Sequence, residues 1–124
     1  MLKHRALTER VIGLAIEVHR TVGPGLLESL YRECLCLELE QAGIRFESEV
    51  AVAVVYKEAI IPLGFRADIL VDGAIILEIK AVASLLPAHE AQLLTYLRMS
   101  GINVGLLMNF HAKLLKDGLL RFVV

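Results

Sequence analysis

An α/β sandwich is predicted by three features of the sequence. Two segments with apolar residues at helical spacing come first, and from about Ile44 the pattern changes to strand-like alternation. Two apolar runs, residues 65–71 and 74–80, flank Asp72-Gly73, a strong hairpin signal. A third helical segment then crosses from that hairpin to another apolar run, residues 103–110.

Each element follows from local chemistry. Residues 8–21 repeat Val11, Leu14, Ala15 and Val18 on one helical face, with Thr8 as the expected N-cap. Gly23-Pro24-Gly25 stops this helix in a rigid turn. A second helix is expected over 26–42, with Leu27, Leu30, Tyr31, Cys34, Leu35 and Leu39 inward and Gly43 as its stop. Residues 47–56 alternate, placing Val50, Val52, Val54 and Tyr56 on one parity before a turn at Lys57-Glu58. Residues 60–63 read as a short edge strand, because Pro62 lacks a ladder donor. Pro87 opens a third helix that reaches about Ser100 and ends at Gly101. Residues 103–110 fit a buried strand and 119–124 close the chain, giving the order ααββββαββ without an internal repeat.

The 124 residues are expected to form one domain, 1–124, long enough to bury roughly two-thirds of the unfolded surface. At 56% hydrophobic residues and with no low-complexity tract, the composition excludes disorder. No apolar run reaches the ~18 residues of a membrane span, and residues 1–10 are too charged for a signal peptide. Cys34 and Cys36, two apart in a helical pattern, point to different faces and fit free buried thiols in a reducing cytoplasm. A net charge of −1 without a basic block argues against tight, non-specific binding to a long polyanion. It leaves room for a nucleic-acid enzyme whose positive charge comes from bound metal.

The chemistry concentrates in FRADILVDGAIILEIK, residues 65–80, where Asp68, Glu78 and Lys80 interrupt two apolar strands. Charged residues are almost never buried unless paired or holding a metal. Glu78 and Lys80 share one face of their strand, and Leu77 and Ile79 share the other. With Asp72 and Gly73 as the two turn residues, Val71 pairs with Ala74 and Asp68 falls opposite Leu77, beside Glu78. A bulge or another turn brings Asp68 directly across from Glu78, and both registers bring the carboxylates close. Magnesium takes hard oxygen ligands and keeps several waters, so two carboxylates and a backbone carbonyl suffice. Such a metal acidifies a bound water and neutralises charge on a phosphodiester under attack, with Lys80 beside the attacking water. The bland reading is a solvated strand face with an ordinary Glu–Lys pair.

Other candidates are weaker when read from the residues alone. Glu28 shares a face with Tyr31, yet a first-turn glutamate is usually a dipole device. Gln92 and Tyr96, four apart, stack on one face of the third helix and could serve a phosphate or simply its surface and core. His19 sits at a helix C-terminus, which favours a cationic imidazole, and His89 lies in the first turn of the third helix. Arg66, two before Asp68, is expected on its face, where it clamps phosphate or neutralises the acids. His4 and His111 belong to no constellation.

Gly25-Leu-Leu-Glu28-Ser-Leu-Tyr31 resembles the signature of the GxxExxY proteins. The likeness extends through Glu17-Val18-His19-Arg20, Gly23-Pro24-Gly25, Gly64-Phe65-Arg66-Ala67-Asp68 and Leu77-Glu78-Ile79-Lys80. It continues through His89-Glu90-Ala91-Gln92-Leu93-Leu94-Thr95-Tyr96-Leu97 and Gly105-Leu106-Leu107-Met108-Asn109-Phe110, covering about 8–121. That family is similar to a compact branch of the PD-(D/E)xK nuclease-like superfamily. The resemblance implies a restriction-endonuclease-like core, a central mixed β-sheet flanked by helices. It implies Asp68, Glu78 and Lys80 as the hydrolytic set, with Glu28 a further acid and metal ligand and Gln92 a helix-borne catalytic residue. Ala67 stands where the superfamily's name has a proline, a departure that removes no ligand. Arg66, Tyr31, Tyr96 and His19 are the substrate-facing candidates.

The function expected is a Mg²⁺- or Mn²⁺-dependent nuclease acting on DNA or RNA. The alternative is a nuclease-fold module that binds nucleic acid or protein without turnover, which the near-neutral charge and small size favour. A homodimer is a further expectation, because the apolar content is high for so short a chain.

Overall fold

Helices α1 (Arg5–Val22) and α2 (Glu28–Gln41) precede strands β1 (Phe46–Tyr56), β2 (Ala59–Val71) and β3 (Ile75–Lys80). Helix α3 (Pro87–Ser100) crosses to β4 (Val104–Asn109), and a short 3-10 turn (Leu115–Gly118) leads into β5 (Leu119–Val123). These elements are those of a computed structural model that describes residues 4–124, so the first three residues of the charged segment 1–10 lie outside it. One sheet has the order β1-β2-β3-β4-β5, with β3 and β4 parallel and all other neighbours antiparallel. The parallel pair is what a helical crossover between adjacent strands produces. Among the described residues no helix is long and apolar enough to cross a membrane.

Helices cover both faces. On one, Val11, Ala15 and Val18 of α1 and Tyr31, Leu35 and Leu39 of α2 pack with Ile75, Leu77, Ile79, Leu106 and Met108. On the other, Leu93 and Leu97 of α3 pack with Val52, Val54, Phe65, Ala67, Ile76 and Leu107. With helices on both sides, β4 is buried along its whole length.

Three local expectations change. Helix α1 starts three residues before Thr8, which is therefore not an N-cap; it is buried inside the helix with its hydroxyl unpartnered. Leu27 and Leu30 are exposed rather than inward. Leu27 is extended before the first turn of α2, and the buried stripe narrows to Tyr31, Leu35 and Leu39 at i, i+4 and i+8. Residues 60–63 are no separate strand, so the order is ααβββαββ. Val52 pairs with Phe65 but Val54 with Ile61, so β2 carries two extra residues across a bulge that accommodates Pro62. Gly64 lies in this bulge, where an added Cβ would stand 2.5 Å from Val54.

A second irregularity governs the site. Ala67 packs on the α3 side and Ile69 on the α1/α2 side, although strict alternation would put both on one face. Strand β1 switches faces at the same level, from Phe46 to Val50. Between them Glu49 has φ +52°, the left-handed region. The pairs Ser48↔Ile69 and Val50↔Ala67 bracket this point, so Glu49 and Asp68 face each other where both strands kink.

Candidate active site

The hairpin turn sets the register of the acids. Asp72 and Gly73 both have positive φ, and Ala74 N donates to Val71 O at 2.9 Å. Ladder pairing nevertheless runs Val71↔Ile75, Leu70↔Ile76 and Ile69↔Leu77, one residue from simple Val71–Ala74 pairing. On this diagonal Asp68 lies level with Glu78, the second of the two registers the sequence allowed. The ladder ends at Ile69 because β2 kinks there. Asp68 fills the opening, its Oδ2 accepting the Ile79 N–H at 2.7 Å.

Glu78 is the electrostatic centre of the site. It is 9% exposed, and its Oε1 is buried without a hydrogen-bond partner. Its pKa is pushed up to about 8, chiefly by burial, then by the charge of Asp68 and a hydrogen bond with it; Lys80 lowers it and Glu28 raises it. Burial disfavours an ionised carboxyl, and a neighbouring like charge disfavours it again. Without a cation, burial and the charge of Asp68 therefore favour the protonated form of Glu78.

Lys80 follows two residues later on a regularly alternating strand and shares the face of Glu78. It is half-buried, and its carbonyl accepts the Phe110 N–H at 2.8 Å, fixing the strand end. Glu28 opens α2, exposed, near enough for its charge to act on Glu78. The three carboxylates do not close into one ligand set, for no group of three or more His, Cys, Asp or Glu could hold a metal ion among the described residues. The buried orphan oxygen of Glu78, against Asp68, fits a hard divalent cation completed by water.

The remaining candidates divide. Tyr31 is not substrate-facing: it is fully buried, stacked on Phe110 at 4.5 Å. Its hydroxyl donates to Gly23 O at 2.6 Å and accepts from Leu26 N, tying down the Gly-Pro-Gly loop. His19 is largely buried, its Nε2 donating to Ala112 O at 2.7 Å, in the wall of an open cavity of about 550 Å³. Tyr96 is half-buried and stacks on Phe65 at 3.8 Å, while Gln92 is exposed one turn before it. His89 Nδ1 accepts the Leu86 N–H at 3.1 Å, capping α3. Arg66 is exposed and paired with Glu49, and the kink between Ala67 and Ile69 breaks the alternation expected to put it on the face of Asp68.

Two contributors were not singled out from the sequence. Asn109 is buried and bonds Val82 N, Val82 O and His111 N, clamping the chain that leaves Lys80 to the end of β4. Its only signal was an amide closing a fully apolar run. Glu49 bridges Arg32 and Arg66 at 2.8 and 2.6 Å, a contact across elements that strand spacing does not reveal. An open cavity of about 620 Å³ lies at the hairpin-turn end of the sheet, lined by Arg45, Leu70 and Asp72, away from the acids.

No curated protein and no solved structure gives a significant match to the chain. A family model does: that of the PD-(D/E)XK nuclease superfamily matches residues 5–122, from the first turn of α1 into β5. The kinked β2 that presents Asp68 and the β3 that carries Glu78 and Lys80 lie inside that match, and the chain belongs to the PD-(D/E)XK nuclease superfamily.

Proposed function

We propose that this chain is a Mg²⁺- or Mn²⁺-dependent nuclease that hydrolyses phosphodiester bonds in DNA or RNA. The observation that carries the reading is Glu78, buried against Asp68 with one oxygen unpartnered and Lys80 on the same face. Asp68 and Glu78 are the residues that would hold the cation, which supplies a Lewis acid for the phosphate and a more acidic bound water. Everything else is work for the chain. The Ile79 N–H aims the Asp68 carboxylate. Lys80 brings a positive charge to the face of Glu78, where it orients the attacking water and stabilises the pentavalent phosphorane. Glu28 adds negative charge at the rim, and Gln92 and Tyr96, on α3, serve the substrate side.

Purified protein incubated with Mg²⁺ or Mn²⁺ should cut at least one substrate in a panel of single- and double-stranded DNA and RNA, and Asp68→Ala should not. A panel without metal-dependent product, or Asp68→Ala cutting like wild type, overturns the reading.

A second reading has its own support: the net charge of −1, without a basic block, in a chain of 124 residues. On that reading the chain is a nuclease-fold module that binds nucleic acid or a protein partner without turnover. Calorimetry separates the two, because a module binds without divalent metal and gives no metal isotherm that Glu78→Gln abolishes.

A further inference from the structure

Glu49, Arg32 and Arg66 form a cluster outside the acid–lysine set. Glu49 sits at the strand kink directly across from Asp68, in a left-handed conformation that a non-glycine residue adopts only at some cost. Its two carboxylate oxygens are divided between two guanidinium groups: Oε1 meets Arg32 Nη2 at 2.8 Å and Oε2 meets Arg66 Nη2 at 2.6 Å. Two arginines thus share one glutamate. Arg32 is held in place, with 17% of its side chain exposed and its Nε buried without a partner, whereas Arg66 is 64% exposed. One guanidinium is therefore fixed and the other reaches solvent.

The position of the cluster relative to the acids follows from helix geometry. Arg32 is four residues after Glu28 on α2 and lies on the same face, about one turn further along, roughly 6 Å of helix rise. Glu28 acts on Glu78, so the arginines flank the acid site on its α2 side. Planar guanidinium forks match phosphate oxygens bidentately, which lysine does not.

We propose that Arg32 and Arg66 form a subsite for a backbone phosphate beside the acid site, with Glu49 as the carboxylate that orders the pair in the absence of substrate. The subsite rests on the nuclease reading, and its ligand is a phosphodiester of DNA or RNA. A phosphate entering between the two guanidinium groups replaces the Glu49 contact with Arg66, the exposed partner, while Arg32 stays in position.

Binding is tested without cutting, by fluorescence anisotropy of labelled single-stranded and duplex oligonucleotides in EDTA. Arg66→Gln should weaken binding ~5–10-fold and lower the slope of log affinity against log salt by about one. Glu49→Gln should tighten binding ~3-fold or more, because it frees both guanidinium groups and removes a repelling charge. Thermal unfolding of the same variants checks their fold, and the exposure of Arg66 makes its replacement the safe one. Unchanged affinity and salt slope in Arg66→Gln overturn the subsite, as does wild-type protein that binds neither probe. Weaker binding in a folded Glu49→Gln also overturns it, since that result marks a structural bridge. Cleavage assayed in Mg²⁺ keeps the two ideas apart: cutting with no Arg66 effect on binding sinks the subsite alone, and an Arg66 effect without any cutting sinks the nuclease reading alone.

Discussion

Replacing Glu78 with glutamine removes one ionisable proton from the site and keeps its shape. In the wild-type chain the carboxyl titrates near 8 when folded and near 4.5 as an unperturbed group. An acid whose folded pKa is raised binds more protons in the native than in the unfolded state between those two values. Stability without metal therefore falls as pH rises through that window, and it levels off above the folded pKa. At about 1.4 kcal/mol per unit, the loss between pH 5 and pH 8 is roughly 3–4 kcal/mol, lowered by any water that enters the site. Urea denaturation in EDTA reads this directly as a pH-dependent midpoint. Glu78→Gln should flatten that dependence and be the more stable protein at pH 8 by about 2–4 kcal/mol, corresponding to roughly 10 °C in thermal midpoint. Millimolar Mn²⁺ should restore stability to wild type at pH 8 and leave Glu78→Gln unmoved. A wild-type profile flat from pH 5 to 8, or a Glu78→Gln protein no more stable at pH 8, would refute the claim that this carboxyl is buried without compensation.

Three further outcomes are expected. Asn109→Ala deletes bonds to Val82 N, Val82 O and His111 N, and should cost about 2–3 kcal/mol in urea unfolding while lowering any cleavage, because the chain leaving Lys80 loses its clamp. Tyr31→Phe keeps the stack on Phe110 but loses the bonds to Gly23 and Leu26, so unfolding should lose about 1–2 kcal/mol with oligonucleotide affinity unchanged; a selective loss of binding would return Tyr31 to the substrate surface. The expected homodimer has its apolar candidate surface on the ribbon of β1 and β2, where Ile60 is 72% and Leu63 is 77% exposed; sedimentation at micromolar concentration should give a dimer that Leu63→Lys dissociates, and a monomeric wild type removes that expectation.

What could be read from the letters was what local chemistry controls. Gly101 adopts the left-handed conformation that ends α3, Pro87 begins it, and Asp72-Gly73 makes the turn, each for reasons carried by the residue itself. The approach of Asp68 to Glu78 was legible because a hairpin limits the register to a few choices. Pro62 was less informative: its missing N–H marks an interruption, but only the pairing of β1 across the bulge makes 59–71 one strand. The coupled kink at Glu49 and Asp68 lies outside any period-two reading, since nothing in one strand states that its neighbour changes face at the same level. The placement of Tyr31 and His19 was hidden for a related reason. Both carry polar groups suited to a site, and the backbone carbonyls they satisfy, Gly23 and Ala112, become neighbours only in the fold.

A crystal soaked in Mn²⁺ at pH 8, where Glu78 can give up its proton to a cation, tests the central claim most directly. Anomalous density is expected within coordination distance, about 2.0–2.3 Å, of both Asp68 and Glu78, with water completing the shell and Lys80 on the same side. Ordered carboxylates with no such density, or an ion bound only to one of them, would contradict the account.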